Sequence, residues 1–108
     1  MEILSSIKSW SSDDRPREKL IEKGGGILSD AELLAILLGS GSRNESAVGL
    51  AKRILNYVQN NLTELGRLGV EDLKQFNGVG DAKAVILCSA FELARRKKGE
   101  TLERVKIN

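Results

Sequence analysis

The sequence predicts a small all-α domain, an orthogonal bundle of about five helices. Apolar residues recur at intervals of three and four along most of the chain, which is the spacing of one helix face, and no segment alternates cleanly as a half-buried strand would. Glycine- and asparagine-containing stretches divide the chain into segments of helical length. With 108 residues, 41% of them apolar, the chain is long enough for one compact core.

The first helix is predicted over residues 16–23. Asp14 is a suitable N-cap, Pro16 suits a first helical turn, and the run of three glycines that follows residue 23 cannot easily continue a helix. We expect this helix to bury Leu20 and Ile21.

The second helix is predicted to begin after Ser29. Ser29 and Glu32 have the three-residue offset of a capping box, in which each side chain accepts a hydrogen bond from a backbone N–H near the helix start. Every residue from 33 to 38 is apolar, so we expect this helix at the centre of the core.

The third helix is predicted from a broad apolar stripe that follows the segment SRNES. Asn60 and Asn61 tolerate backbone angles outside the helical range, so we expect the helix to end there. The members of the stripe are Val48, Leu50, Ala51, Ile54, Leu55, Tyr57 and Val58.

Two short helical turns, over 63–67 and 70–76, and a long helix over 81–97 complete the predicted domain. The apolar residues of the long helix fall on two adjacent lines. These lines are Ala82, Ile86, Ala90 and Leu93, and Ala84, Leu87, Phe91 and Ala94. Residues 99–108 lack an apolar stripe, so we assign residues 1–98 to the helical domain and 99–108 to a linker toward another domain.

The segment FNGVGDAK places a tight turn directly before the last helix. Gly78 and Gly80 allow backbone angles that a side chain would block, and Val79 between them is expected to fill the core between two helices. The free N–H groups of the helix start, its positive dipole end and the charge of Lys83 together predict a phosphate site. Such contacts would not distinguish base sequences. A purely structural turn explains the glycines equally well, and Asp81 would repel a phosphate.

A second glycine turn, LLGSGSRNES, also lies between an apolar helix and a helix with basic residues. Two such turns on one face could hold both backbones of a duplex, as a tandem pair. The internal match is weak outside the glycines, because several additional residues precede the later helix. The candidate residues of this possible second turn are Gly39, Ser40, Gly41, Ser42, Lys52 and Arg53.

Composition argues against catalysis. The chain has no histidine, which removes the commonest general base and the commonest metal ligand. Its one cysteine, Cys88, lies in an apolar periodic segment and is expected to be a small buried residue. No pair of carboxylates and no nucleophile with a base stands out, so we expect no catalytic residues, no metal and no cofactor.

The charges are unevenly distributed along the chain. Residues 1–32 carry five basic and seven acidic side chains, whereas residues 33–98 carry ten basic and six acidic ones. This asymmetry permits nucleic-acid binding, and a solvated face ending in a basic helix C-terminus explains it equally well. The longest apolar run is too short for a membrane span and no leader pattern is present, so we expect a cytoplasmic protein without a membrane partner.

Four segments of the chain resemble one known family. The segments RPREKLIEKG, LSDAELLAILLGSGS, LAKRIL and FNGVGDAKAVIL have the order and spacing of the N-terminal domain of the bacterial RadC proteins, historically called DNA repair proteins. Residues 73–94 resemble a helix-hairpin-helix motif, in which apolar residues and glycines alternate before an Ala-rich helix. The resemblance covers residues 14–98.

The resemblance implies a DNA-binding domain. In helix-hairpin-helix proteins the hairpin amides bind DNA phosphates without sequence preference, and the matching positions here are Gly78, Val79, Gly80 and, one turn on, Lys83. Asn77 departs from the proline or lysine found in many hairpins.

The resemblance also implies what lies outside this chain. The family usually has a C-terminal domain of the JAB1/MPN metallopeptidase-like type, whose His-rich zinc motif is missing here, so we expect no enzyme activity from these residues. Some helix-hairpin-helix proteins hold a monovalent cation through hairpin carbonyls, for which the matching positions are Lys74, Phe76 and Val79.

A different class of function stays open beside DNA binding. Small helical domains of this shape also bind other proteins or dimerise. The balance of basic and acidic residues around the two glycine turns distinguishes the two hypotheses, because only a phosphate-binding surface needs an excess of cations there.

Overall fold

A computed structural model describes residues 13–100 and shows an all-α domain, which confirms the predicted fold class. Within this range the only β-type pairing is an isolated bridge between Ser42 and Glu45. The helices are α1 (Arg15–Lys23), α2 (Asp30–Leu38), α3 (Ala47–Tyr57), α4 (Leu62–Leu65), α5 (Val70–Leu73) and α6 (Asp81–Gly99), with a 3₁₀ turn at Gly25–Ile27 after α1.

Helix α1 packs on α2 through only part of one face. Pro16 is its buried residue and Leu20 is half-buried, but Ile21 is 84% exposed, so the prediction that Ile21 is buried was wrong. The Asp14 side chain does not cap the helix and instead pairs with Arg17. One turn of apolar residues is evidently not enough to show from sequence which side of a short helix faces its neighbour.

The capping box at the start of α2 is confirmed. The Glu32 N–H donates to the Ser29 hydroxyl at 3.1 Å, and the Ser29 N–H donates to the Glu32 carboxylate at 2.9 Å. Helix α2 packs against α1, α3 and α6, and Ala35 is completely buried. Its central position is therefore confirmed, although Leu33 is partly exposed.

Helix α3 forms the most extensive helix pair with α2. The Ser46 hydroxyl caps its start by accepting from the Gly49 N–H at 3.1 Å. The helix ends at Tyr57, and Asn60 has a φ of 59°, which confirms its predicted role in ending the helix. Asn61 instead starts α4, where its side chain accepts from the Glu64 N–H at 3.0 Å.

Only one of the two apolar lines of α6 contributes buried residues. Ala84 and Leu87 are completely buried, whereas Ile86 and Leu93 on the other line are 47% and 67% exposed. The helix runs two residues beyond the predicted end, to Gly99. Cys88 is half-buried, with its Sγ 3.8 Å from the Leu68 carbonyl oxygen.

The bulkiest side chains of the core come from α3, α5 and α6. The largest completely buried side chains are Leu50, Ile54, Leu73 and Leu87. Tyr57 is 70% exposed, in contrast to the predicted stripe, but its ring contacts Phe76 edge-on with centroids 5.4 Å apart.

In the described range no helix is both long and apolar enough to cross a bilayer. Residues 101–108 of the predicted linker lie outside that range.

Candidate nucleic-acid interface

The hairpin between α5 and α6 is a tight reversal closed by its own backbone. The Val79 N–H donates to the Phe76 carbonyl at 3.0 Å, and the Val79 side chain is buried in the core as predicted. Gly78 has a φ of 98°, and a Cβ there would lie 3.2 Å from the Cβ of Ser42. Glycine at 78 therefore serves both the turn and the close approach of the second glycine turn.

The start of α6 is open toward solvent. Gly80, its N-cap, makes no side-chain capping bond, and a Cβ at this position would meet nothing within 4 Å. Asp81 and Ala82 are exposed. Because the first N–H groups of a helix have no intrahelical acceptor, this start offers backbone donors and a positive dipole end to an external group.

The negative charge of Asp81 is balanced by a neighbour. Lys74 Nζ lies 2.7 Å from Asp81 Oδ1, and this hydrogen bond with the Asp81 charge raises the pKa of Lys74. Both groups are substantially exposed, so the pair adds little to stability. Its relevance is local: Lys74 offsets part of the Asp81 charge, but it also lies 3.8 Å from the Glu71 carboxylate, so the objection that Asp81 repels phosphate is only partly answered.

The second glycine turn, in contrast, already holds an anion from within the chain. The Asp13 carboxylate accepts from the Ala47 N–H at 2.6 Å and from the Gly41 N–H at 3.3 Å. The Ser42 N–H donates to the Glu45 carbonyl at 2.9 Å. The donors of this turn and of the α3 start are therefore engaged internally, whereas those at the start of α6 are exposed.

Lys83 joins the two turns. Its Nζ donates to the carbonyl oxygens of Ser40, Gly41 and Gly78 at 2.8, 3.1 and 3.1 Å. The structure thus brings Lys83 and both glycine turns together, and it directs the Lys83 ammonium toward backbone carbonyls.

Arg53 makes a second connection between the turns. Its guanidinium binds the Glu45 carboxylate with two hydrogen bonds, at 3.1 and 2.8 Å, and also donates to the Asn77 carbonyl at 2.6 Å. The Glu45 hydrogen bond raises the pKa of Arg53. Lys52, predicted in the same group, lies away from the turns and lines a groove with Lys19 and Glu32.

The Glu45–Arg53 pair makes the fold sensitive to acid. The Arg53 hydrogen bond holds the pKa of Glu45 below its usual 4.5. Because the pKa of Glu45 is lower in the folded than in the unfolded protein, the pair stabilises the fold above pH 4.5. This contribution is lost as the pH falls through the pKa that Glu45 has in the folded protein. We expect the stability advantage of the native protein over Glu45→Gln to shrink in acid, as measured by denaturant midpoints across a pH series. An advantage that stays constant with pH would contradict this role.

Two residues at this surface were not identified from sequence. A shallow pocket between the turns is lined by Ser42, Arg43, Asn44, Glu45, Arg53, Asn77 and Gly78, of which Asn44 and Glu45 were not among the predicted residues. Their position beside the second glycine turn was the only available signal. Asp13 carried no such signal, because it precedes its partner N–H groups by 28 and 34 residues. Within residues 13–100 no three His, Cys, Asp or Glu side chains cluster as metal ligands would.

Comparison with known proteins gives one consistent result. A family model described as UPF0758 N-terminal matches residues 7–85. Curated UPF0758 proteins of Flavobacterium johnsoniae, Trichlorobacter lovleyi and Porphyromonas gingivalis are 54%, 43% and 44% identical over 101, 105 and 100 residues. The alignments cover 94%, 93% and 92% of this chain but 44%, 46% and 44% of the relatives, so the chain spans a little under half their length. No solved structure shows significant similarity to it.

Proposed function

Because the chain belongs to the UPF0758 family, which is the RadC family resembled by its four sequence segments, we propose that it is a DNA-binding domain that contacts the phosphate backbone. The contacting groups are the hairpin amides of Gly78 and Gly80 and the first N–H groups of α6; the Val79 amide, also predicted from sequence, already donates to the Phe76 carbonyl. These donors read no base edges, so binding does not depend on DNA sequence.

The open start of α6 is the observation that carries this proposal. Of the two glycine turns, the one at 39–42 has its donors engaged by Asp13 and Glu45, while the start of α6 has no side-chain cap. An uncapped helix start with no Cβ at Gly80 lets a phosphate oxygen approach the backbone closely.

One exposed cation near the hairpin favours an anionic partner. Arg43 lines the pocket between the turns and is exposed, whereas Lys74 is shared between Asp81 and Glu71. Lys83 and Arg53 join the second turn to the hairpin and so support the binding surface. A second phosphate near this turn would either contact Arg43 or take the place of the Asp13 carboxylate.

A protein-interaction function is favoured by a different surface. The side of α6 opposite the core carries Ile86 and Leu93, which are apolar and exposed, next to exposed Val85. An exposed apolar stripe is typical of contacts with another protein. This surface is separate from the hairpin, so the two functions can be tested independently.

For the longer relatives, we propose that this domain brings the remainder of the protein to DNA. The chain covers less than half of those relatives, and the repair role implied by the RadC resemblance concerns the whole protein. In this proposal the chain itself binds rather than catalyses, and it acts in the bacterial cytoplasm, where the DNA is.

Titration with duplex DNA tests the proposal directly. We expect the backbone amide resonances of Gly78, Gly80 and Ala82 to shift on addition of DNA, and the affinity to fall as salt is raised, because phosphate contacts release counterions. Shifts confined to Ile86 and Leu93, or binding without salt dependence, would exclude the phosphate contact and favour the interaction module.

Substitution of Gly80 tests the same contact. The Gly80 φ of −99° suits any residue and a Cβ there meets nothing within 4 Å, so Gly80→Val should fold normally. The branched side chain would cover the helix start, and we expect DNA affinity to fall by about tenfold, the loss of roughly one charge-assisted hydrogen bond. Gly26→Val is the matched control, since Gly26 is equally open but lies after α1. Equal affinities of the two variants would contradict the proposal.

A further inference from the structure

The Lys83 ammonium is engaged by backbone carbonyls of its own domain. The side chain is half-buried, and Nζ lies within 3.1 Å of three carbonyl oxygens. An ammonium has three protons to donate, so three acceptors satisfy it completely. A direct phosphate contact would require the side chain to give up at least one of these bonds.

The three acceptors belong to two different turns. Gly78 is in the hairpin, whereas Ser40 and Gly41 are 43 and 42 residues away in sequence from Lys83. Carbonyl oxygens carry partial negative charge, so three of them converging on one point need a cation or other donors between them. Lys83 supplies that cation from within the chain.

Arg53 also connects the hairpin with the second turn. It belongs to α3 and reaches the Asn77 carbonyl of the hairpin, while Glu45 in the second turn holds its guanidinium. Gly78 completes the contact, because its missing Cβ allows Ser42 to approach. The hairpin and the second turn are therefore joined by two cations and by the close approach of the Ser42 side chain to Gly78.

We propose that Lys83 is a positioning residue: its ammonium acts as an internal cation that joins the two glycine turns and so fixes the orientation of the open α6 start. This inference deepens the proposed function, on which its DNA-binding part rests. It differs from the direct phosphate contact predicted from sequence, because Lys83 then influences DNA affinity without adding a charge to the contact surface.

Measurements on the free protein test the internal cation. In the native protein we expect the Lys83 ammonium protons to exchange slowly enough with water to give their own nitrogen-correlated NMR signal, and those of exposed Lys97 not to. In Lys83→Met we expect the amide resonances of Ser40, Gly41 and Ser42 to shift, although they are distant in sequence. Lys97→Met, at the far end of the same helix, should leave them unchanged.

DNA binding by the folded variants tests the positioning role. We expect Lys83→Met to bind duplex DNA about tenfold more weakly, with an unchanged slope of log affinity against log salt. If Lys83 contacted a phosphate, the slope would decrease by about 0.9 for the one lost contact. Should Lys83→Met fail to fold, Lys83→Gln serves in its place: its amide can donate to two of the three carbonyls, so we expect smaller amide shifts and a smaller loss of affinity, again with an unchanged salt slope.

The outcomes separate this inference from the function it rests on. A reduced slope with unmoved Ser40 and Gly41 amides, or an unchanged affinity in a folded variant, would overturn the positioning role. Absence of DNA binding by the native protein would overturn the proposed function. In that case the ammonium signal and the amide shifts still decide whether Lys83 joins the turns.

Discussion

Gly41→Ala is expected to destabilise the domain by about 3 kcal/mol or more, because the new methyl group has no space. A Cβ at this position would lie 1.9 Å from the Glu45 carbonyl oxygen and 2.4 Å from the Ser46 carbonyl carbon. Both are backbone atoms, so no side-chain rotation relieves the overlap and the turn has to move. That movement would also break the Gly41 N–H contact with Asp13.

Urea unfolding of the variant, followed by circular dichroism, measures this loss. Gly80→Ala is the matched control, because its Cβ meets nothing within 4 Å and its backbone angles suit alanine. Near-equal unfolding midpoints for the two variants would mean that the turn at 39–42 is not packed as the structure shows.

Leu50→Ala is expected to cost roughly 2–5 kcal/mol, the range found when a buried leucine is truncated. Leu50 is completely buried on α3, and its Cδ2 would lie 3.4 Å from a Cβ at Gly78, so it packs against the hairpin. Loss of the side chain leaves a cavity where α3 supports the hairpin, so the hairpin should also become less ordered.

Thermal or urea unfolding measures the stability of Leu50→Ala, and amide exchange at Val79 measures the order of the hairpin. Leu93→Ala provides the control, because Leu93 is exposed and its truncation should change stability by less than about 0.5 kcal/mol. Equal effects of the two truncations would contradict the assigned core.

Local signals in the sequence were sufficient for most of the fold. The capping box of Ser29 and Glu32 and the end of α3 near Asn60 depend on neighbouring residues and were confirmed. Burial was less predictable where one helix has two apolar sides: Ile21 and Ile86 are as apolar as their buried neighbours but face outward. Which side is buried depends on partners that are distant in sequence.

At the candidate site, too, local features could be predicted from the sequence and long-range contacts could not. The hairpin and the exposed start of α6 could be inferred from the spacing of Gly78 and Gly80, whereas the partners of Lys83 and the carboxylate of Asp13 could not. Apart from the bond between Lys83 and Gly78, these contacts join residues 28 to 43 positions apart, and no local pattern predicts such pairs. Whether the hairpin amides contact phosphate stays a prediction.

The contacts of Lys83 also bear on the order in which the chain folds. The Gly78 carbonyl is only five residues from Lys83, so this bond can form as soon as the hairpin does, whereas the bonds to Ser40 and Gly41 close loops of more than 40 residues. Long loops cost more entropy to close than short ones, so their contacts form only when the rest of the chain has been brought together. The hairpin is therefore expected to form early, and its contacts with the turn between α2 and α3 are expected to form late. Removing the Lys83 ammonium takes away one early bond and two late ones, so it should accelerate unfolding more than it slows folding.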